Sequence, residues 1–405
     1  MRVNDRVKAA VWLLAAVLLV GACGGGSSAP AGSNQATGTP IKIGFVNIEK
    51  GTFTLPGVGA GVRAAVKHIN ADLNGIDGHP IVLDECIMDL TPEAASLCTS
   101  QMVDDKVQVV IDGFNVINGS MHKVFDSAGI TMVGWLDFTP EDDASKNSFF
   151  LSIGSSDYNA SIALVSSKVL NARKAAFMLD NPTGLTALPF VKAVAAKAGM
   201  SLVVTPYADG TTDFATVAAQ AAASKPDVIF SFATEQEMPN VIKAVRDVGF
   251  KGAFIAGADR AWATSLPTSL SDGIYTESEY YDYDNASAAP ASVQPELAAY
   301  KDAINKYYPG NLGLFSQGPF SQVMTLYSVL NGLGPDHLTG KEVTAAFQKN
   351  IDIHKYMGTT LNCGHPVDPK VPSVCAAGVF FLKFTGGKFT LVNPQVWSGQ
   401  QFLNS

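Results

Sequence analysis

The stretch Ile41-Lys42-Ile43-Gly44-Phe45-Val46 is followed, after a glycine-bearing link, by Ala60-Gly61-Val62-Arg63-Ala64-Ala65-Val66-Lys67-His68-Ile69-Asn70. The first run is mostly apolar and half of it is β-branched, as strands covered on both faces of a parallel sheet are. The second spaces its apolar residues at three and four, which is a helical face. A strand feeding a helix is one half of a crossover unit, and the unit recurs. Strands are expected at 80–85, 107–111 and 131–134, with helices at 58–71, 92–103 and 119–127. A second series has helices at 159–170, 187–198, 213–223 and 237–248, and strands at 175–179, 202–205, 228–232, 253–256 and 273–276. This alternation predicts an α/β protein with parallel sheets.

After residue 276 the rhythm changes. Helices are expected at 291–308, 318–333 and 341–349 with no strong strands between them, and they read as returning to cover the first lobe. Residues 378–392 (GVFFLKFTGGKFTLV) form two β-runs around Gly386-Gly387, a hairpin signal because glycine supplies the positive φ of such turns. Two Rossmann-like lobes are therefore expected, 41–153 with 282–357 and 154–281 with 358–405. The chain would cross between them near 152–156, 279–282 and 356–360. Three crossings make a hinge, and closure about a hinge traps ligands.

The amino terminus supplies an address. Arg2, Arg6 and Lys8 precede an apolar run over residues 9–20, too short for a bilayer span of ~20 residues, so 1–22 reads as an export signal. Val20-Gly21-Ala22-Cys23 resembles the lipobox of bacterial lipoproteins, which implies cleavage after Ala22 and diacylation of Cys23 at the extracytoplasmic face of the cell membrane. Residues 24–40 (GGGSSAPAGSNQATGTP) hold no large apolar side chain and read as a disordered tether, with a root-mean-square reach of roughly 23 Å.

Without residues 1–22 the chain carries 25 Lys and Arg against 35 Asp and Glu, so nucleic acid is not an expected partner. Cys86, Cys98, Cys363 and Cys375 form two close pairs of equal spacing, and in an exported chain disulfides are the expected use. No CxxC spacing or paired histidines point to a metal, and no cofactor is implied. Gly57-Val58-Gly59-Ala60-Gly61 stands too far beyond the first strand for a dinucleotide fingerprint, and reads as a flexible approach to a helix. The six histidines show no HExxH spacing and no GxSxG elbow is present, so an enzyme is not expected.

The order of these features resembles the leucine/isoleucine/valine-binding proteins, which are type I periplasmic binding proteins. It is carried by Ile41-Lys42-Ile43-Gly44, the helix from Ala60 to Asn70, Gly75-Ile76-Asp77-Gly78, Thr212-Asp213-Phe214 and Pro226-Asp227-Val228-Ile229-Phe230, and covers about 41–395. The resemblance implies a monomer that captures a small solute, an amino acid, amine, amide or small organic acid, and presents it to the permease of an ATP-driven importer. A ligand sensor of the same fold is the alternative.

On this sequence the resemblance places ligand positions around 114–118 and 134–138 in the first lobe, and 180–184, 234–237 and 257–260 in the second. The candidate contacts are Phe114, Asn115, Trp135, Asp137, Phe138, Asn181, Thr234, Glu235, Asp259 and Tyr281. Trp135 and Phe138 serve either as an aromatic floor or as core packing. Asp259 falls where the family places a carboxylate for a ligand ammonium, or pairs with Arg260 or caps a helix; Asp137 has the same cap alternative. Glu235 and Glu237 also suit the first turn of a helix. The family's hydroxyl-rich segments are replaced here by Phe114-Asn115-Val116-Ile117-Asn118 and Gly134-Trp135-Leu136-Asp137-Phe138.

Overall fold

The computed structural model describes residues 34–51, 54–181, 183–208, 210–234, 236–257, 260–349, 352–376 and 378–405. The expected signal, Cys23 and most of the tether lie outside them.

The first sheet is built as the opening stretch implies. Strand β1 (Ile41–Ile48) leads into α1 (Pro56–Asp72), then β2 (Ile81–Met88), α2 (Pro92–Asp104), β3 (Val109–Asp112), α3 (Gly119–Ala128), β4 (Thr131–Gly134), a short α4 (Pro140–Ala144) and β5 (Ser148–Phe150). All five strands are parallel, in the order β2-β1-β3-β4-β5. Three residues of β5 carry too little periodic pattern to stand out in sequence, yet all three are buried.

The second sheet follows through α5 (Ser155–Lys168), β6 (Lys174–Asn181), α6 (Thr183–Lys197), β7 (Ser201–Ala208), α7 (Ala215–Ala223), β8 (Val228–Ser231), α8 (Met238–Asp247), β9 (Ala253–Ala256), the short α9 (Trp262–Ser265) and α10 (Thr268–Ser271), and β10 (Tyr275–Ser278). Its seven strands run β14-β13-β10-β9-β8-β6-β7. The last two to join, β13 (Phe380–Thr385) and β14 (Lys388–Leu391), form the antiparallel hairpin about Gly386-Gly387, whose φ values are both positive.

Between β10 and β13 in sequence come α11 (Gln294–Tyr307), α12 (Leu314–Leu333), α13 (Gly340–Lys349) and the small pair β11 (Ile353–His354) and β12 (Thr360–Leu361). Their apolar faces close the first core: Leu297, Tyr300, Phe320, Leu330, Val343 and Phe347 cluster with Ile43, Phe45, Val62 and Ile69. Helix α12 starts at Leu314, four residues before the sequence pattern predicts. It packs so tightly on α1 that a Cβ at Gly61 would lie 2.4 Å from the Ser316 carbonyl oxygen. Gly61 thus serves helix–helix contact, not a flexible approach. A carboxy-terminal helix, α14 (Gly399–Asn404), docks on α5, where Asp157 Oδ1 accepts the Gln400 N–H and Oδ2 accepts Ser398 Oγ–H.

Both cysteine pairs are bridged, Cys86 to Cys98 and Cys363 to Cys375. The first ties β2 to its crossover helix. The second lies within residues 359–376, which depart from the expected path. Instead of leaving for the second lobe at 356–360, this segment stays against the edge of β5, where Phe150 N–H donates to the Ser373 carbonyl and Cys375 N–H to that of Phe150. The passage to β13 then falls between Ala376 and Val379, beside Ser152.

Candidate functional site

The lobes meet over the crossings. At their centre stands Glu279, 2% exposed, just after β10. Its Oε1 accepts the Ile153 N–H at 2.7 Å and its Oε2 takes Lys355 Nζ at 2.5 Å, so a single carboxylate touches chain from 153, 279 and 355. Tyr281 N–H donates to the Met357 carbonyl, adding a backbone tie.

Above this floor lies a cavity of about 280 Å³ walled from both lobes. The first lobe brings Phe114, Trp135, Leu136, Phe138, Leu314 and Phe315; the second brings Ser155, Tyr158, Asn159, Phe232, Ala233, Thr234 and Gly257. Glu279 and Tyr280 line its base. The rings form one set: Phe114 lies 4.6 Å from Phe138 and 6.1 Å from Phe315, and Trp135 meets Phe315 edge-on at 5.9 Å between centroids. A second cavity of about 560 Å³ adjoins it through Leu314 and Phe315. Arg260 lines that space, with Nη1 3.4 Å from Asp282 Oδ1 and Nη2 donating to Gln317 Oε1 at 3.1 Å.

Of the sequence candidates, the structure gathers Phe114, Trp135, Phe138 and Thr234 around the smaller cavity. Three others go elsewhere. Asn115 is fully buried and donates to Asp112 Oδ1, because that buried carboxylate at the end of β3 needs donors. Asp137 turns to the opposite side of its loop from Leu136 and Phe138, accepts the Ser155 N–H, and lines a separate acidic cavity of about 100 Å³ with Asp143, Asp157 and Asp368. Burial and the neighbouring Asp143 hold its carboxyl well above the usual range. Tyr281 packs on Phe380 at 4.5 Å, and its neighbour Tyr280 lines the cavity in its place. Glu235 and Asp259 lie outside the described residues, as does the side chain of Asn181.

Sequence reasoning missed Phe232, Phe315, Ser155, Tyr158, Asn159 and Glu279. Phe232 ends an expected strand and was legible by the rule that ligands gather beyond strand ends. Phe315 was not, since it depends on where α12 begins.

A buried chain joins Ser148 Oγ to His122 Nδ1 (3.0 Å) and His122 Nε2 to Asp142 Oδ1 (2.5 Å). It has the residue types of a hydrolytic triad, but all three are at most 4% exposed. Its visible work is positional. Asp142 Oδ2 accepts the N–H groups of Phe138 and Thr139, which fixes the loop that carries Phe138. Among the described residues no group of three or more His, Cys, Asp or Glu is arranged to hold a metal.

The fold and this cleft define a class. The family model described as periplasmic binding protein matches residues 40–367, and the chain belongs to that family, whose members bind substrates outside the cytoplasm. Among solved structures it resembles a leucine-binding protein of Thermotoga maritima (15% identity, TM-score 0.68, covering 87% of this chain and 99% of that one). It also resembles a fatty acid transporter substrate-binding protein of Thermomonospora curvata (16%, 0.70, 92% and 96%) and a solute-binding protein of R. palustris in complex with 4-hydroxybenzoate (18%, 0.67, 89% and 96%). At such identities the likeness establishes the fold. No curated protein matches the chain in sequence.

Proposed function

We propose that this protein captures a small solute by closing its lobes and delivers it to the membrane permease of an ATP-driven importer, held to the membrane by lipid on Cys23. The observation that carries the reading is the 280 Å³ cavity walled from both lobes above a floor where Glu279 joins the crossing at Ile153 to Lys355 of the first lobe. A ligand in such a space touches both lobes only when they are together, so its binding favours the closed form. Relatives of this fold bind leucine, fatty acids and 4-hydroxybenzoate, which brackets the solute as an amino acid or an organic acid. Among the described residues no helix is long and apolar enough to cross a membrane.

Saturating solute is expected to reduce the radius of gyration measured by small-angle scattering. An unchanged profile with calorimetrically bound solute would remove the closing mechanism. Cys23→Ala is expected to shift the exported protein from the membrane fraction to the soluble one, and retention in the membrane by the variant would refute the anchor.

A further inference from the structure

Within the two first-lobe segments that face the 280 Å³ cavity, several polar groups are engaged inside the lobe. Asn115 and Asn118 both donate to Asp112. The Phe114 N–H donates to Asn47 Oδ1, and the Phe138 and Thr139 N–H groups to Asp142. Asp137 faces the acidic cavity behind. What this wall presents to a ligand is Phe114, Trp135, Leu136, Phe138 and Phe315.

The rings sit on prepared seats. A Cβ at Gly318 would lie 2.3 Å from Cε2 of Trp135, so the indole lies flat against α12 only because residue 318 has no side chain. Across the cleft a Cβ at Gly257 would lie 2.4 Å from Cδ1 of Phe232. Aromatic surface is therefore built into both lobes. Among the described residues the polar side chains at the cavity on the other side and the floor are Ser155, Tyr158, Asn159, Thr234, Glu279 and Tyr280; Thr234 donates to Glu237, Asn159 to the Ser155 carbonyl and Tyr158 to that of Glu277, while Glu279 is held by Lys355.

From this geometry we infer that the solute is a ring-bearing, mostly apolar compound with one small polar end directed to the second lobe, and that it is not an α-amino acid. This rests on the solute-capture reading above and narrows it. An α-carboxylate set against the first-lobe wall would lose its hydration to a surface of rings, a loss that binding cannot restore without donors. A flat ring gains there, because edge-to-face and offset contacts with Phe114, Phe138 and Phe315 on one side and Phe232 on the other suit its quadrupole.

The test is calorimetric titration of the mature, oxidised protein with benzoate, phenylacetate, leucine and phenylalanine, repeated on Phe232→Ala and Gly257→Val, with scattering on each bound form. Benzoate or phenylacetate is expected to bind at least tenfold more tightly than either amino acid, and each variant to weaken that binding at least tenfold. The inference is overturned if leucine or phenylalanine binds as tightly as the ring acids, or if both variants keep full affinity. Thermal unfolding of the variants separates lost recognition from lost fold, and Gly257→Val keeps every ring in the chain. The two readings fail separately: a non-aromatic solute that compacts the protein overturns the ring assignment and leaves solute capture intact. A ring acid bound without compaction upholds ring recognition and removes lobe closure.

Discussion

Lys355→Met is expected to lower unfolding stability by about 3–5 kcal/mol, because it strips the buried Glu279 carboxylate of its counter-charge. Lys355 is 1% exposed and Glu279 2%. The ammonium also stands 4.4 Å above the Tyr280 ring, and burial pulls the Lys355 pKa below its ordinary value against the upward pull of Glu279. Removing both partners is a different experiment. Lys355→Met with Glu279→Met leaves no orphaned charge, so most of the loss is expected to return. Urea unfolding followed by circular dichroism measures both. A single variant within ~1 kcal/mol of wild type, where an exposed pair would fall, would show that the crossings do not depend on this ion pair.

The second large effect is on pH. Burial pushes Asp112 up to about 8, with Asp142 adding to the rise while Asn118 and Asn115 oppose it. Asp157 is pushed up to about 6 by burial despite its bonds to Ser398 and Gln400. Glu277 is wholly buried on β10, neither of its carboxyl oxygens has a hydrogen-bond partner among the described residues, and burial raises its pKa well above the ordinary value, with Asp157 and Glu279 adding to the rise. Each group binds its proton more tightly folded than unfolded. Their stabilising contribution is therefore full below the unfolded pKa near 4 and is lost as pH climbs, through about 6 for Asp157 and about 8 for Asp112. The urea midpoint is expected to fall from pH 5 to pH 8. Glu277→Gln removes one such proton, so the pH slope of its stability should flatten by ~1.4 kcal/mol per pH unit. A variant slope identical to wild type would mean that Glu277 ionises freely in the folded protein.

The α/β alternation was legible because buried parallel strands and amphipathic helices each leave a periodic mark, and that mark also placed the covering helices at the first lobe. Phe114, Trp135 and Phe138 were legible as residues just beyond strand ends. Which way they face was not. Trp135, Leu136 and Phe138 line the cavity while Asp137 between them turns to the other side of the loop, a reversal at one residue that periodicity does not mark. Asn115 looked like a ligand contact because its real partner, Asp112, became a buried orphan acid only once β3 was packed. The 359–376 excursion was hidden for another reason: its hold on β5 is made by backbone groups, to which side-chain patterning is blind.

The route of the chain through its lobes also sets a sequence of assembly. Strands β6 to β10 and their helices are contiguous over residues 174–278, so the second lobe needs only its edge hairpin and terminal helix to be complete. The first lobe is begun at residue 41 and cannot bury α1 until α12 arrives at 314–333. Closing so long a loop is slow. The apolar face of α1 therefore waits open after export, and it is the first lobe, not the second, that stands exposed to aggregation and to chaperone capture while the rest of the chain emerges.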